Sequence, residues 1–214
     1  LVATGCDSYP AVYPEFKHLS PIYEPKEVAD KILNLLPEKQ WRDEHLVITG
    51  GEPLLYGWQK VYSKLLGCDS FAGLKNLTFE TNGTQPIHPR FAQFLENSHY
   101  SYEDITFSVS PKLSCSGEQV ENTIQPGVVS EYCDIGHTYL KFVVSTMEDV
   151  NEALEMVHVY KVGGFNGSVY LMPVGGTLET YNLNAKTVAE IALKHGLCYS
   201  PRLHVDLFGN QWGC

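Results

Sequence analysis

Short apolar segments alternate with longer amphipathic stretches along most of the chain, and this alternation restricts the fold more than any other feature. The short segments are rich in β-branched and aromatic residues, which is typical of buried strands. Five of them predict strands at 45–49, 76–81, 105–110, 138–145 and 168–172, and RLHVDLF (202–208) predicts a last strand.

The stretches between the predicted strands place apolar residues at helical spacing. Thr146 with Asp149 has the spacing of a capping pair, and Asn184 predicts another helix start. Helices are therefore expected at 26–36, 56–66, 91–95, 147–157 and 184–196.

Strands that alternate with single helices predict βαβ units, and hence an α/β fold with a parallel sheet. An open doubly wound sheet and an incomplete (βα) barrel fit this period equally well. Ligands bind at the carboxyl-terminal edge of the strands in both architectures. With 214 residues, the chain is expected to form one domain over 1–214.

Charge and composition exclude several classes of function. The 15 Lys and Arg residues are outnumbered by 25 Asp and Glu residues, so a surface that neutralises nucleic-acid phosphates is not expected. No apolar run is long enough to span a bilayer, and no signal peptide is recognisable at the start, so no membrane partner is expected and the cytoplasm is the expected location. The six cysteines form no CxxC pair, which argues against a self-contained zinc site.

ITGGEP places two glycines and a carboxylate directly after the first predicted strand. Gly50 and Gly51 would let a ligand approach the backbone closely, Pro53 would fix the turn, and Glu52 would stand at the rim. A tight turn between strand and helix is the alternative interpretation, because a tetrapeptide motif alone is weak.

Polar clusters also follow the next two predicted strands. Glu80 begins the cluster ETNGT, and Ser110 begins the cluster SPK. Each could be an ordinary loop, but together with GGEP they predict a ring of polar groups at one edge of the sheet.

Two further candidate groups lie near the ends of the chain. Cys6, Asp7 and Ser8 follow a glycine near the start, although a single cysteine is more often a small buried residue. His204 and Asp206 fall on the last predicted strand, where a core histidine is the alternative.

Taken in order, GCDSYPAV, ITGGEP, FETNGT, SVSPK and RLHVDLFGNQWG resemble the 7-carboxy-7-deazaguanine synthase family of radical S-adenosylmethionine enzymes. The similarity spans nearly the whole chain. GGEP alone indicates only the wider superfamily, whereas SPK with ETNGT and the LHVDLFGN segment narrows it to this family.

The resemblance implies an abbreviated, partial (βα)6 barrel that uses S-adenosylmethionine, a 4Fe-4S cluster and Mg²⁺. It implies conversion of 6-carboxy-5,6,7,8-tetrahydropterin to 7-carboxy-7-deazaguanine with loss of ammonia, in 7-deazapurine (queuosine) biosynthesis. A reductant such as flavodoxin and a homodimer are the partners that it implies.

The resemblance also implies roles for individual residues. Cys6 would be a cluster ligand and Ser8 a Mg²⁺ ligand. Glu80 and His204 would act in catalysis and contact the substrate, together with Thr49 and Cys214. The implied cofactor contacts are Gly5, Cys6, Asp7, Gly50, Gly51, Glu52, Ser110, Pro111, Lys112, Met172, Pro173, Val174 and Gly175.

The chain departs from the family pattern at its start. The family needs two cysteines upstream of Cys6, and the chain begins at Leu1 without them, so we expect a missing amino-terminal segment and no activity of this piece alone. Two alternatives stay open: an activase of glycyl-radical enzymes, and a non-catalytic remnant of the fold that binds a pterin or nucleotide.

Overall fold

A six-stranded parallel sheet forms the centre of the protein in a computed structural model that describes residues 14–19, 21–97 and 104–209. Strands that are consecutive in the chain are also neighbours in the sheet. They are β1 (His45–Ile48), β2 (Asn76–Thr81), β3 (Asp104–Val109), β4 (His137–Val144), β5 (Val169–Pro173) and β6 (Cys198–Tyr199).

Helices separate the strands, as the alternating pattern predicts. Within the described ranges they are α1 (Pro25–Leu35), α2 (Tyr56–Leu65), α3 (Pro89–Asn97), α4 (Val120–Thr123), α5 (Pro126–Ile135), α6 (Met147–Val162), α7 (Leu178–Lys194) and α8 (Leu203–Phe208). Short 3-10 helices lie at Pro14–Leu19, Pro37–Lys39, Asp69–Phe71 and Ser114–Ser116. None of the helices in these ranges has the length and apolar character needed to cross a membrane.

The strand order distinguishes between the two architectures that the periodicity left open. A doubly wound sheet reverses its strand order at a switch point. Here the order runs from β1 to β6 without a reversal, so successive crossovers turn the same way around the sheet. The fold is therefore the expected α/β fold with the winding of a partial (βα)6 barrel.

The hydrophobic core lies between the outer face of the sheet and the helices. Aromatic rings stack in it. The ring centroids of Phe79 and Phe107 lie 5.6 Å apart, and those of Phe107 and Tyr132 of α5 lie 4.6 Å apart. Burial of these rings away from water stabilises the packing of helices on the sheet. Other fully buried side chains of this face are Leu77, Leu140, Phe142 and Leu171.

The opposite face, called the inner face here, carries mostly polar side chains. The parallel register places Glu80 beside Ser108, Ser108 beside Tyr139, and Lys141 beside Tyr170. The remaining inner-face side chains of these strands include Thr78, Thr106 and Met172. A polar inner face in a partial barrel can line a ligand site, as expected at the carboxyl-terminal edge of parallel strands.

The predicted last strand at 202–208 is wrong. The sixth strand is Cys198–Tyr199, and Leu203–Phe208 forms α8 instead. Pro201 lacks the N–H that a continuing ladder needs, so the strand ends before it. The carbonyl of Arg202 then accepts hydrogen bonds from the backbone N–H groups of Val205 and Asp206, which begin the helix.

One helix prediction also needs correction, and one of the longer helices was missed. Asn184 lies inside α7, whose first residue is Leu178 and whose N-cap is Thr177, with its side chain accepting from the backbone of Thr180. Helix α5 was not predicted, because its segment offers no helical apolar pattern as clear as those of its neighbours. Proline at its first position favours a helix start there.

The predicted cap of α6 is confirmed. Thr146 accepts a hydrogen bond from the backbone N–H of Asp149, and the Asp149 carboxylate accepts from the backbone N–H groups of Thr146 and Ser145, at 2.9 and 2.8 Å. Burial of Asp149 opposes its ionisation, but these backbone hydrogen bonds outweigh that effect and lower the pKa of the carboxyl below 3.8.

Replacing Asp149 with alanine should reduce the free energy of unfolding by about 2 kcal/mol at pH 7. Because the folded-state pKa is depressed, this stabilisation is present above the unfolded pKa and is lost as the pH falls through the folded-state value. Urea unfolding of the wild type and of Asp149→Ala should therefore show a difference in the free energy of unfolding that becomes smaller below about pH 4. Glu148→Ala, at an exposed position in the same turn, is the control, and a pH-independent difference would contradict the expectation.

Candidate functional site

The carboxyl-terminal edge of the sheet gathers the loops in which the sequence placed its polar motifs. Residues 49–53 follow β1, residues 82–84 follow β2, residues 110–112 follow β3 and residues 174–175 follow β5. Their common edge follows from the parallel pairing of the strands. The structure thus brings together the segments on which the predicted ring of polar groups depends.

Three side chains meet at this edge and form what we call the inner-face cluster: Thr49, which directly follows β1, Glu80 of β2 and Lys141 of β4. The Thr49 hydroxyl donates to Oε2 of Glu80 at 3.3 Å, and Nζ of Lys141 lies 3.3 Å from Oε1. The Glu80 side chain is 43% exposed, so its carboxylate faces open space on the inner face. Thr49 and Glu80 were predicted substrate contacts, and the structure places them in direct contact.

Lys141 is the cluster member that the sequence analysis missed. Its side chain is only 17% exposed, whereas a lysine on a half-buried strand usually reaches water. A single lysine at an inward position of an apolar strand was the available signal. Its partner lies 61 residues earlier in the chain, and nothing in the sequence pairs the two.

Glu52 of the GGEP loop, predicted to stand at the rim, is held by hydrogen bonds within the protein. Its carboxylate accepts hydrogen bonds from the backbone N–H groups of Leu54 and Asn82, at 2.9 and 2.8 Å. It also accepts from the hydroxyl of Thr81 at 2.8 Å, and that hydroxyl in turn accepts from the backbone N–H of Gly83. Glu52 therefore ties the loop after β1 to the loop after β2.

Gly50 is a glycine for conformational reasons. Its backbone φ is +137°, a value that residues other than glycine rarely adopt. A Cβ built on Gly50 would meet no heavy atom within 4 Å, so the backbone borders open space rather than a packed neighbour. A ligand can approach the chain closely at this point, and the exposed Gly51 follows directly.

The SPK segment lies where the sequence placed it. The backbone N–H of Ser110 donates to the carbonyl of Thr81, and its hydroxyl donates to the carbonyl of Lys141 at 3.0 Å. Pro111 is buried and Lys112 is exposed. Ser110 thus extends the sheet on both sides, one residue beyond the end of β3.

The third predicted cofactor segment begins in β5. Met172 is half-buried on the inner face, Pro173 is buried, and Val174 is 40% exposed beyond the strand. Gly175 has a φ of +145°, and a Cβ there would lie 2.5 Å from the backbone of Tyr181. Close packing against α7 therefore accounts for this glycine without a ligand.

His204 is a predicted site residue that the structure describes away from this cluster. His204 is exposed on α8, and among the described residues no hydrogen bond joins it to Glu80 or Lys141. Gly5, Cys6, Asp7, Ser8 and Cys214 lie outside the described residues.

Cysteines of the described ranges do not form a metal site. They belong to different elements, and across those ranges no group of three His, Cys, Asp or Glu side chains could hold a metal ion. Cys115 is exposed at the surface, but partial desolvation of its thiol, followed by the negative charge of Asp149, raises its pKa to about 11. The thiolate is the form that binds metal, so Cys115 is a poor ligand at neutral pH.

Alkylation of Cys115 by iodoacetamide at pH 8 should be about 100-fold slower than that of a short unstructured peptide with one cysteine, because the thiolate is rare. The rate should keep rising with pH up to about 11, measured by mass spectrometry of the modified peptide. Cys115→Ser removes the labelled peptide and identifies the site. A rate that levels off below pH 9 would contradict the raised pKa.

A cavity of about 450 Å³ opens elsewhere, between α2 and the start of α3. Its lining includes Lys60, His88 and Arg90, but none of the predicted site residues. Lys60 lies over the ring of Tyr56, 4.0 Å from its centroid, and the amide of Gln59 is held by backbone groups. The inner-face cluster, not this cavity, combines a cationic and an anionic side chain at the edge where the fold binds ligands.

Comparison with curated proteins finds relatives with one common name. A 7-carboxy-7-deazaguanine synthase from Pyrobaculum aerophilum is 31% identical over 169 residues, which cover 79% of this chain and 67% of the relative. Another, from Halobacterium salinarum, is 30% identical and covers 96% of this chain and 77% of the relative. A third, from Rhodopirellula baltica, is 27% identical, and 63% of its length is matched. No protein-family model matches the chain.

Among solved structures, the chain is similar to Streptococcus suis SuiB bound to precursor peptide SuiA. The TM-score is 0.52 with 18% identity, over 85% of this chain and 43% of SuiB. The chain thus spans less than half of the length of that protein. At this identity the similarity concerns the fold, in agreement with the strand order.

Proposed function

Because this chain belongs to the 7-carboxy-7-deazaguanine synthase family, we propose that it forms the site at which 6-carboxy-5,6,7,8-tetrahydropterin is converted to 7-carboxy-7-deazaguanine. Ammonia leaves in this conversion, which belongs to 7-deazapurine biosynthesis. The proposal assigns the chain to the carbon–nitrogen lyases.

The observation that carries the proposal is the Glu80 carboxylate on the inner face, held by Thr49 and Lys141. A carboxylate has about four acceptor positions, and the two protein donors occupy one on each oxygen. The remaining positions suit a ligand with adjacent N–H donors. The aminopyrimidine ring of a pterin has such donors, so Glu80 would orient it, and the Thr49 hydroxyl would add a further polar contact.

S-adenosylmethionine fits the loop after β1. The positive φ of Gly50 and the open space beside it leave backbone accessible to the amino-acid part of the cofactor. Glu52 would act on that contact by holding the loop in shape, since its own carboxylate is occupied by protein donors. Ser110 and Lys112 would border the cofactor from the loop after β3.

The 4Fe-4S cluster and Mg²⁺ depend on residues outside the described ranges, so their fit is proposed from the family resemblance alone. Cys6 would bind the cluster and Ser8 would bind Mg²⁺, whose preference for hard oxygen ligands suits a hydroxyl. When bound, the cluster and S-adenosylmethionine supply the electron and the adenosyl radical. His204, Asp7 and Cys214 are further proposed contacts on the same basis.

Anaerobic reconstitution of the complete open reading frame with iron and sulfide tests the proposal. The protein is incubated with S-adenosylmethionine, a reductant such as flavodoxin, Mg²⁺ and the carboxytetrahydropterin, and the product is identified by mass spectrometry. We expect 7-carboxy-7-deazaguanine to form only when every component is present. Size-exclusion chromatography of the same preparation tests the homodimer.

Binding of the pterin without conversion, by a protein that carries a fully reconstituted cluster, would overturn the enzyme and favour a non-catalytic pterin-binding protein. Radical transfer to a glycine of a partner protein would instead favour an activase. Neither outcome is expected, because the relatives from Pyrobaculum aerophilum and Halobacterium salinarum are both named as the synthase.

A further inference from the structure

The ion pair between Lys141 and Glu80 differs from two other lysine–carboxylate pairs of the described residues. The pairs of Lys26 with Asp30 and of Lys186 with Glu190 join neighbouring turns of one helix, and their lysine side chains are 80% and 88% exposed. Lys141 is 17% exposed, and its partner lies on another strand. An ammonium shielded from water in this way is costly unless an anion compensates it.

The pair crosses a whole strand. Glu80 belongs to β2 and Lys141 to β4, and β3 lies between them. Neighbouring strands are about 4.8 Å apart, so the two backbones are separated by about 10 Å, a distance that the long lysine side chain can bridge. The inner positions of β3 beside this pair include Thr106 and Ser108, whose small side chains leave room for this crossing.

Ser108 lies directly beside Glu80 in the register and is 1% exposed. Its hydroxyl oxygen is buried and has no hydrogen-bond partner among the described residues. A larger side chain there would stand in the path from Lys141 to Glu80. The burial of Ser108 on an otherwise polar, partly open face is what a side chain lying across it would produce.

Glu80 would be poorly fixed without Lys141. Its remaining protein contact is the Thr49 hydroxyl, at 3.3 Å, which is long for a hydrogen bond to a carboxylate. A glutamate side chain that is 43% exposed has several rotamers to choose from. The ammonium of Lys141 restricts that choice and leaves Oε2 turned toward the loop after β1.

We propose that Lys141 is a positioning residue, whose ammonium fixes the Glu80 carboxylate in the orientation that receives the N–H groups of the substrate. The inference rests on the proposed function, because it assigns Glu80 to the pterin. Lys141 itself acts through Glu80 and does not contact the reacting atoms. A bridge that serves only to stabilise the sheet is the competing explanation, and it predicts no change in substrate affinity.

Steady-state kinetics of the reconstituted, complete protein separates these explanations. Lys141→Met should raise KM for the pterin about 10-fold or more, with kcat changed less than about threefold, because the lost interaction serves binding of the substrate N–H groups in the ground state and the transition state alike. Lys141→Arg, which restores the positive charge, should recover most of the affinity. Lys186→Met removes the exposed ion pair with Glu190 and should leave both constants unchanged.

A double-mutant cycle makes the test specific to Glu80. In a Glu80→Gln background, Lys141→Met should change KM less than about twofold, since the group that it positions is already lost. Additive effects, or a wild-type KM for Lys141→Met, would overturn the inference. Thermal melts of each variant verify folding, and crystal structures of the folded variants should show the Glu80 carboxylate displaced only where Lys141 is replaced by methionine.

Failure of the proposed function gives a different result. If the reconstituted wild-type protein neither binds nor converts the pterin, both the proposed function and the inference are overturned. If the wild-type protein converts the pterin and Lys141→Met does so with an unchanged KM, only the inference is overturned.

Discussion

Replacing Glu80 with glutamine is expected to lower kcat/KM for the pterin about 100-fold, which corresponds to about 3 kcal/mol of lost interaction. Glutamine keeps the shape of the side chain, but it carries no charge for Lys141 and presents an NH₂ group at one acceptor position. That group would face either the ammonium or the substrate donors, so at least one polar contact is lost. Steady-state kinetics of the reconstituted protein measures the change.

Glu131→Gln is the matched control, since Glu131 is an exposed carboxylate on the outer helix α5. It should leave kcat/KM unchanged. If Glu80→Gln retained more than about one third of the wild-type value, a carboxylate would not be needed at this position. The proposed orientation of the substrate would then have to be abandoned.

Glu52→Ala should be the most destabilising change within the GGEP motif. It removes three hydrogen bonds to a carboxylate and leaves the backbone N–H groups of Leu54 and Asn82 without their partner. A loss of about 3 kcal/mol is expected, which lowers the melting temperature by about 6–12 °C in a protein of this size. Differential scanning calorimetry measures it.

Two further variants give this prediction its specificity. Glu52→Gln keeps one acceptor oxygen and should fall between alanine and the wild type. Glu155→Ala, at an exposed position on α6, should change the melting temperature little. A shift below about 2 °C for Glu52→Ala would mean that water or neighbouring groups replace the carboxylate.

The sequence predicted the first five strands well, because buried parallel strands are apolar enough to be read without knowledge of their partners. The edge at which the motifs meet also followed from the βα period alone. The strand prediction failed at 202–208, where Leu203, Val205 and Leu207 alternate as in a strand. In the structure only Val205 of these three is buried, and the preceding proline ends the ladder.

The inner-face cluster could be predicted only in part. Thr49 directly follows β1 and Glu80 is the penultimate residue of the adjacent β2, so their contact follows once the sheet is known to be parallel. Lys141 could not be assigned in the same way, because strand order and register decide which inward side chains can reach each other. The sequence pattern of β4 was sufficient to predict a strand, but it contains no information about the partner across β3.

Glu52 has a consequence for how the two loops could respond to a cofactor. Because the Glu52 carboxylate accepts hydrogen bonds within the turn after β1 and from the turn after β2, a shift of the first turn would displace the second or break these bonds. The conformational entropy of these turns is then lost when the protein folds, and a small molecule that arrives later meets backbone amides already in place.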